Sequence, residues 1–158
     1  MKAPRLYLDT SAIGGYFDDE WAEATRELWR QMEAGQWRFV TSVVTVEELQ
    51  HAPDRVLGLF QRSFRSEDLL DVTPEIRELA GAYVTHGVVS PKFQDDARHV
   101  VACTVHGVGL LVSWNFKHMV NVRREAGFNG VNLLKGYPSV RIVNPLELIH
   151  DEDEDQGI

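Results

Sequence analysis

Short apolar runs of strand character alternate with helix-period segments along this chain, and that alternation narrows the possible folds more than any other feature. Leu6-Tyr7-Leu8 and the segments 37–41, 69–72, 109–112 and 140–143 read as strands. Between the first two, Trp21, Ala24, Leu28 and Met32 recur at helical spacing across 20–34, and Gly35 supplies the stop. Segments 45–50 and 53–64 read as two more helices. Thr73-Pro74 and Ser90-Pro91 each place a capping residue before a proline at the first helical position, opening helices that reach His86 and His106, each followed by glycine. Asn144-Pro145-Leu146-Glu147 reads as a capping box that starts a last helix. Strands separated by helices predict an α/β fold with a mainly parallel sheet covered on both faces.

The size agrees with that reading. A chain of 158 residues, 44% of them apolar, suits a single domain over 1–150 with its own core. The lone cysteine, Cys103, excludes an internal disulfide framework and a CxxC zinc site and points to the cytoplasm; it sits among Val100, Val101 and Ala102 as a small buried hydrophobe. No apolar run is long enough to cross a bilayer, and 1–7 lacks the apolar stretch of a signal peptide, so no membrane is expected. The net charge of −8 argues against a phosphate-bearing partner, yet 151–155 is an unbroken run of five acids. Without it, 16 basic residues face 19 acidic ones, a net of −3. The segment 151–158 reads as a solvated, disordered tail, with shielding of a basic groove as the alternative.

A parallel sheet collects ligands beyond the carboxyl ends of its strands, so the residues that follow each strand form a natural group. They are Asp9, Ser42, Thr73, Asn115 and Asn144, and the starts of the neighbouring helices add Glu47, Glu48, Asp95 and Asp96. Carboxylates gathered at one edge repel one another unless a cation neutralises them. Oxygen-only ligands indicate a hard metal, Mg²⁺ or Mn²⁺, that would bind substrate phosphate and activate water. The most basic stretch near a strand end, 116–124, offers Lys117, His118, Arg123 and Arg124 for phosphates.

Plainer readings stand beside these. Asp9 can cap the helix that follows it, and Thr45 with Glu48 fits a capping box, leaving Glu47 as an exposed neighbour. Asp95 and Asp96 diverge by about 100° around a helix, so only one of them faces the edge, and helical geometry does not say which. His99 and His106 read as packed or surface histidines, and Trp114 as packing, with stacking on an unpaired base as the alternative.

Taken in order, LYLDTSAI, the Glu of TSVVTVEEL, DDARHVVAC and LLVSWNFKHM resemble the PIN-domain ribonucleases, in particular the VapC-type toxins of bacterial toxin–antitoxin pairs. The resemblance runs over roughly residues 5–150. It implies a three-layer α/β/α fold and metal-dependent hydrolysis of RNA. Its three acids fall on Asp9, Glu48 and Asp96, and Ser11 matches a supporting small polar position. A fourth acidic position matches Asn115, an amide that ligates through oxygen without charge. The resemblance also implies an antitoxin that covers the acids and a homodimer. Two rivals remain. A haloacid-dehalogenase-type phosphatase also begins with an aspartate after its first strand, but wants a second aspartate where Ser11 stands. A non-catalytic PIN-like module would bind RNA or protein without cleaving anything.

Overall fold

Side chains alternate between two apolar layers along every long strand, as a sheet buried on both faces demands. The computed structural model describes residues 2–71 and 73–149. The acidic segment 151–158 expected to form a tail lies outside them, as do the end of the expected domain at His150 and Val72 of the third expected strand.

Five strands form one sheet: β1 (Arg5–Leu8), β2 (Arg38–Ser42), β3 (Leu69–Leu70), β4 (Leu110–Val112) and β5 (Arg141–Val143). Their spatial order is β3-β2-β1-β4-β5 and all four pairings are parallel. Tyr7, Val40, Leu111 and Ile142 point into one core, where α5 (Pro74–Thr85), α6 (Gln94–Val105) and α7 (Val122–Leu134) cover them with Tyr83, Val100, Val101 and Phe128. Leu6, Leu8, Phe39, Val112 and Val143 point into the other, under α1 (Thr10–Gly14), α2 (Ala22–Glu33), α3 (Val43–Leu49) and α4 (Asp54–Ser63). The result is the expected three-layer α/β/α architecture.

The chain begins in the middle of the sheet, moves outward through β2 and β3, and returns to the opposite side of β1 with β4. Between β1 and β4 the strand order therefore reverses, and the crevice beyond their carboxyl ends is the usual ligand position in sheets of this kind. Helix stops fall where the glycines predict, with Gly35 at φ 84° and Gly107 at φ 67°, both left-handed conformations that favour a residue without Cβ.

Several local readings need correction. The helix expected over 20–34 starts at Ala22, because the Asp18 carboxylate takes the amides of Glu20 and Trp21 into a turn first. The cap of α3 is Ser42, whose hydroxyl accepts from the Val44 amide, so the Thr45–Glu48 capping box does not form; Thr45 is buried and bonds to Thr41 instead. The expected last helix is a single 3₁₀ turn, Pro145–Glu147, although its reciprocal cap bonds are present. Helix α7 is not legible from apolar spacing: Val122, Leu133 and Leu134 are exposed, whereas buried Asn132 accepts a 2.5 Å hydrogen bond from Tyr83 inside the core. Among the described residues no helix is long and apolar enough to cross a membrane.

Gly15 closes the turn after α1 beneath Trp114, where a Cβ would meet the indole Nε1 at 2.5 Å and Cδ1 at 2.6 Å. Gly14 beside it has open space and an α-helical φ of −62°. Gly15→Ala is expected to cost about 1–3 kcal/mol by overpacking, and Gly14→Ala to be neutral or stabilising by up to about 1 kcal/mol. Thermal unfolding of the two variants side by side checks the difference.

Candidate functional site

The edge between β1 and β4 is built from short polar side chains that knit the strand ends together. Asp9 follows β1 and does cap α1: its Oδ1 accepts from the Ala12 amide at 2.9 Å and from the Ser11 hydroxyl at 2.7 Å. Capping and burial coincide, for the residue is only 4% exposed. The Ser11 oxygen also accepts from the Trp114 amide at 2.9 Å and lies 3.2 Å from the Ser113 hydroxyl, which in turn accepts from the Asn115 amide. Ser11 thus ties the end of β1 to the end of β4 across the reversal in strand order.

Glu48 reaches this edge from α3. Its Oε1 lies 2.5 Å from His99 Nε2 and accepts from the Thr10 hydroxyl at 3.1 Å. Asp96 arrives from the first turn of α6, partly buried, and accepts no hydrogen bond from any described residue. Asp95 points away, with its side chain 84% exposed and 3.9 Å from Arg98, which also pairs with exposed Glu47 at 3.2 Å. Of each adjacent acidic pair, one member turns to the edge and the other to solvent.

The electrostatics separate the three edge carboxylates. Burial pushes the Asp9 carboxyl above its usual range, against the opposing pull of His99, Ser113, Ser11 and the Ala12 amide. Burial also pushes Asp96 up, reinforced by Glu48 and Asp9 and opposed by His118 and His99. Burial alone would raise Glu48 too, but the hydrogen bond and charge of His99, with Thr10 and Arg98, outweigh it and hold the carboxyl below its ordinary value. Asp9, Glu48 and Asp96 therefore share one field.

The other candidates divide. Asn115 uses its side-chain oxygen to accept from the His118 amide at 3.0 Å, closing a turn after β4. The His118 ring stacks on Phe93 at 3.9 Å, and its buried Nδ1 has no hydrogen-bond partner among the described residues. Lys117 and Arg123 are exposed and enter no ion pair among the described residues. Arg124 is half-buried, and one of its guanidinium nitrogens donates to the Val88 carbonyl, so part of its role is structural. Trp114 is packed: its indole donates to Thr25 and stacks on Trp21 at 4.3 Å.

The donor set suits a hard divalent cation in kind, being all oxygen, with the bonds to Asp9 and Glu48 falling on one oxygen of each and none on Asp96. Among the described residues no three His, Cys, Asp or Glu side chains converge tightly enough to enclose an ion by themselves. Mg²⁺ and Mn²⁺ keep several waters and bind through one or two carboxylates plus substrate phosphate, so the oxygen donors match them in kind, not as an enclosing cage. Three clefts on the described residues lie elsewhere and are not lined by Asp9, Glu48 or Asp96.

No family model and no curated protein matches the chain. Among solved structures, a chain of VapBC2 from Rickettsia felis, crystallised bound to a DNA fragment from their promoter, is similar with a TM-score of 0.55. The identity is 14%, over 89% of this chain and 98% of that one. The likeness is one of fold. With its all-parallel, helix-flanked sheet, the architecture is PIN-like.

His99, read from the sequence as a packed or surface histidine, is packed, and it bridges Tyr7 and Glu48 at the edge, which that reading did not include. The spacing Asp96-x-x-His99 was the available signal, since residues three apart share a helix face.

Because folding raises the Asp9 pKa, the protonated form adds stability that is fully present below the unfolded value, about 3.9, and is lost as pH rises through the folded value. Asp9→Asn keeps the cap acceptor without the buried charge. In chelator at neutral pH it is expected to melt higher than wild type, by about 2–4 °C per kcal/mol recovered, and the gain should shrink toward pH 4. Melting curves across that pH range check the sign.

Proposed function

We propose that this protein is a metal-dependent endoribonuclease, the toxin of a toxin–antitoxin pair, working in the cytoplasm as a homodimer with Mg²⁺ or Mn²⁺ as cofactor. The observation that carries this reading is the set of three electrostatically coupled carboxylates, Asp9, Glu48 and Asp96, at the reversal point of a PIN-like sheet. Burial raises the pKa values of Asp9 and Asp96, and at Asp96 the neighbouring Glu48 and Asp9 add to it, a perturbation typical of functional sites. The antitoxin reading draws on the similar fold, whose solved relative belongs to a VapBC2 complex.

In this reading Asp9 and Asp96 hold the cation, with Glu48 and the Asn115 side-chain oxygen beside it and Ser11 fixing Asp9. A bound Mg²⁺ or Mn²⁺ supplies Lewis acidity at the scissile phosphate and a water of lowered pKa. Glu48, kept ionised by His99, Thr10 and Arg98, orients the attacking water or takes its proton. No side-chain nucleophile is needed. Lys117, His118 and Arg123 bind flanking phosphates, with Arg124 contributing whatever donors its bond to Val88 leaves.

A second reading, a non-catalytic module that binds RNA or protein, is favoured by the Asn115 oxygen already accepting from His118 and by the loose spacing of the acids. The phosphatase reading has less support, because Ser11 stands where its second aspartate belongs and is committed to Asp9.

Cleavage of a mixed RNA pool with Mg²⁺ or Mn²⁺, and with chelator, decides between nuclease and module. Cleavage is expected only with metal, and Asp96→Asn should lower it on the order of 100-fold, the scale of losing one preorganised electrostatic group. No cleavage by folded protein freed of any antitoxin would favour the binding module.

Lys117→Glu is expected to weaken RNA binding at all sequences and to reduce the salt slope by about one. An unchanged slope in filter binding across a salt series would remove Lys117 from the RNA path.

A further inference from the structure

A continuous hydrogen-bonded chain runs through the buried interior behind the carboxylate edge. The Val44 amide donates to Ser42 Oγ at 3.3 Å, Ser42 Oγ lies 2.6 Å from Tyr7 Oη, Tyr7 Oη lies 2.8 Å from His99 Nδ1, and His99 Nε2 lies 2.5 Å from Glu48 Oε1. Ser42 and Tyr7 are fully buried and His99 is 3% exposed, so no water competes for the Ser42–Tyr7 and Tyr7–His99 bonds, while the bond to Glu48 lies at the partly open end. The Tyr7 ring stands edge-on to the imidazole at 67°, which limits its rotation.

The protons along the chain can be assigned. Ionised Glu48 only accepts, so His99 Nε2 carries a hydrogen whether the ring is neutral or charged. In the neutral ring Nδ1 must accept, Tyr7 donates to it, and the Ser42 hydroxyl donates to Tyr7. In the charged ring the two lower donations reverse and the Nε2–H bond to Glu48 stays. Either way the ring is held at both nitrogens.

The chain also touches α3 at both ends, through Ser42 at its cap and Glu48 in its last turn. Glu48 is 39% exposed in its side chain and would otherwise sample several rotamers. Thr10, at the start of α1, and Arg98, on the same helix as His99, approach it from other sides.

We propose that His99 is a positioning residue for the Glu48 carboxylate, held in place by Tyr7 and Ser42, and that this relay sets the affinity of the acid edge for a divalent cation. The proposal rests on the metal-dependent reading of the edge. Partners that orient a ligating carboxylate from behind commonly change metal affinity by 10–100-fold when removed.

The test is Mn²⁺ titration followed by electron paramagnetic resonance, on the full chain, counting only binding that Asp96→Asn abolishes. His99→Phe keeps a planar buried ring without the donor, His99→Gln restores an N–H toward Glu48, and Tyr7→Phe removes only the hydroxyl that holds Nδ1. His99→Phe is expected to weaken Mn²⁺ binding by about 10–100-fold, His99→Gln to recover most of the loss, and Tyr7→Phe to fall between. Circular dichroism confirms which variants are folded, and Tyr7→Phe carries the test if His99→Phe is not. Variants that melt lower but bind Mn²⁺ as tightly as wild type would make the relay merely structural and overturn the proposal while leaving the nuclease reading intact. Wild-type protein with no Asp96-dependent Mn²⁺ binding would overturn both.

Discussion

Burial of the Asp9 carboxylate at the junction of β1 and β4 organises the structure around it. An ionised carboxylate moved out of water is costly unless charge or hydrogen bonds replace its hydration. Here Ser11 and the Ala12 amide bond one oxygen directly, and Ser113 and His99 act from nearby. The same Ser11 oxygen receives the Trp114 amide, so the bonds that hold the acid also hold the two central strands in register at their carboxyl ends. Trp114 then packs so closely over Gly15 that no side chain fits beneath it.

Around this point the charges are graded. Glu48 is stabilised as an anion by cationic and hydroxyl neighbours, while Asp9 and Asp96 are driven toward protonation by burial, and Asp96 also by its fellow acids. In the proposed metal-dependent reading, the site's one settled anion and two reluctant ones are the groups that a divalent cation would stabilise. The buried relay from Ser42 through Tyr7 to His99 gives that site a rigid rear wall, made from β1, the β2 end and α6. Such support from packed elements holds a carboxylate more firmly than a surface ion pair, where screening and side-chain entropy absorb most of the gain.

Much of this was legible in the residues. The alternation of strands with helices led to the parallel sheet, strand-end logic gathered Asp9 with the pairs Glu47–Glu48 and Asp95–Asp96, and the resemblance picked Glu48 and Asp96 from those pairs. The acid pair at 95–96 was half legible: periodicity required one to face inward, but which one depends on how α6 is rotated against its neighbours. Helix α7 was hidden because its exposed Val122, Leu133 and Leu134 and its buried Asn132 invert the usual pattern. His99 is packed, as read, but its bonds were not legible because its partners Tyr7 and Glu48 lie 92 and 51 residues away in sequence.

The sequence by itself determined most of the element types, the parallel class of the sheet and the acidic character of its carboxyl edge, because periodicity, caps and strand-end residues are local properties of the chain. Only the tertiary structure decided the order of the strands, the binding of Arg124 to Val88 and the relay behind Glu48. Each of those depends on how separate elements dock, and the packing that rotates a helix or brings β1 against α6 is settled by contacts between residues far apart in sequence.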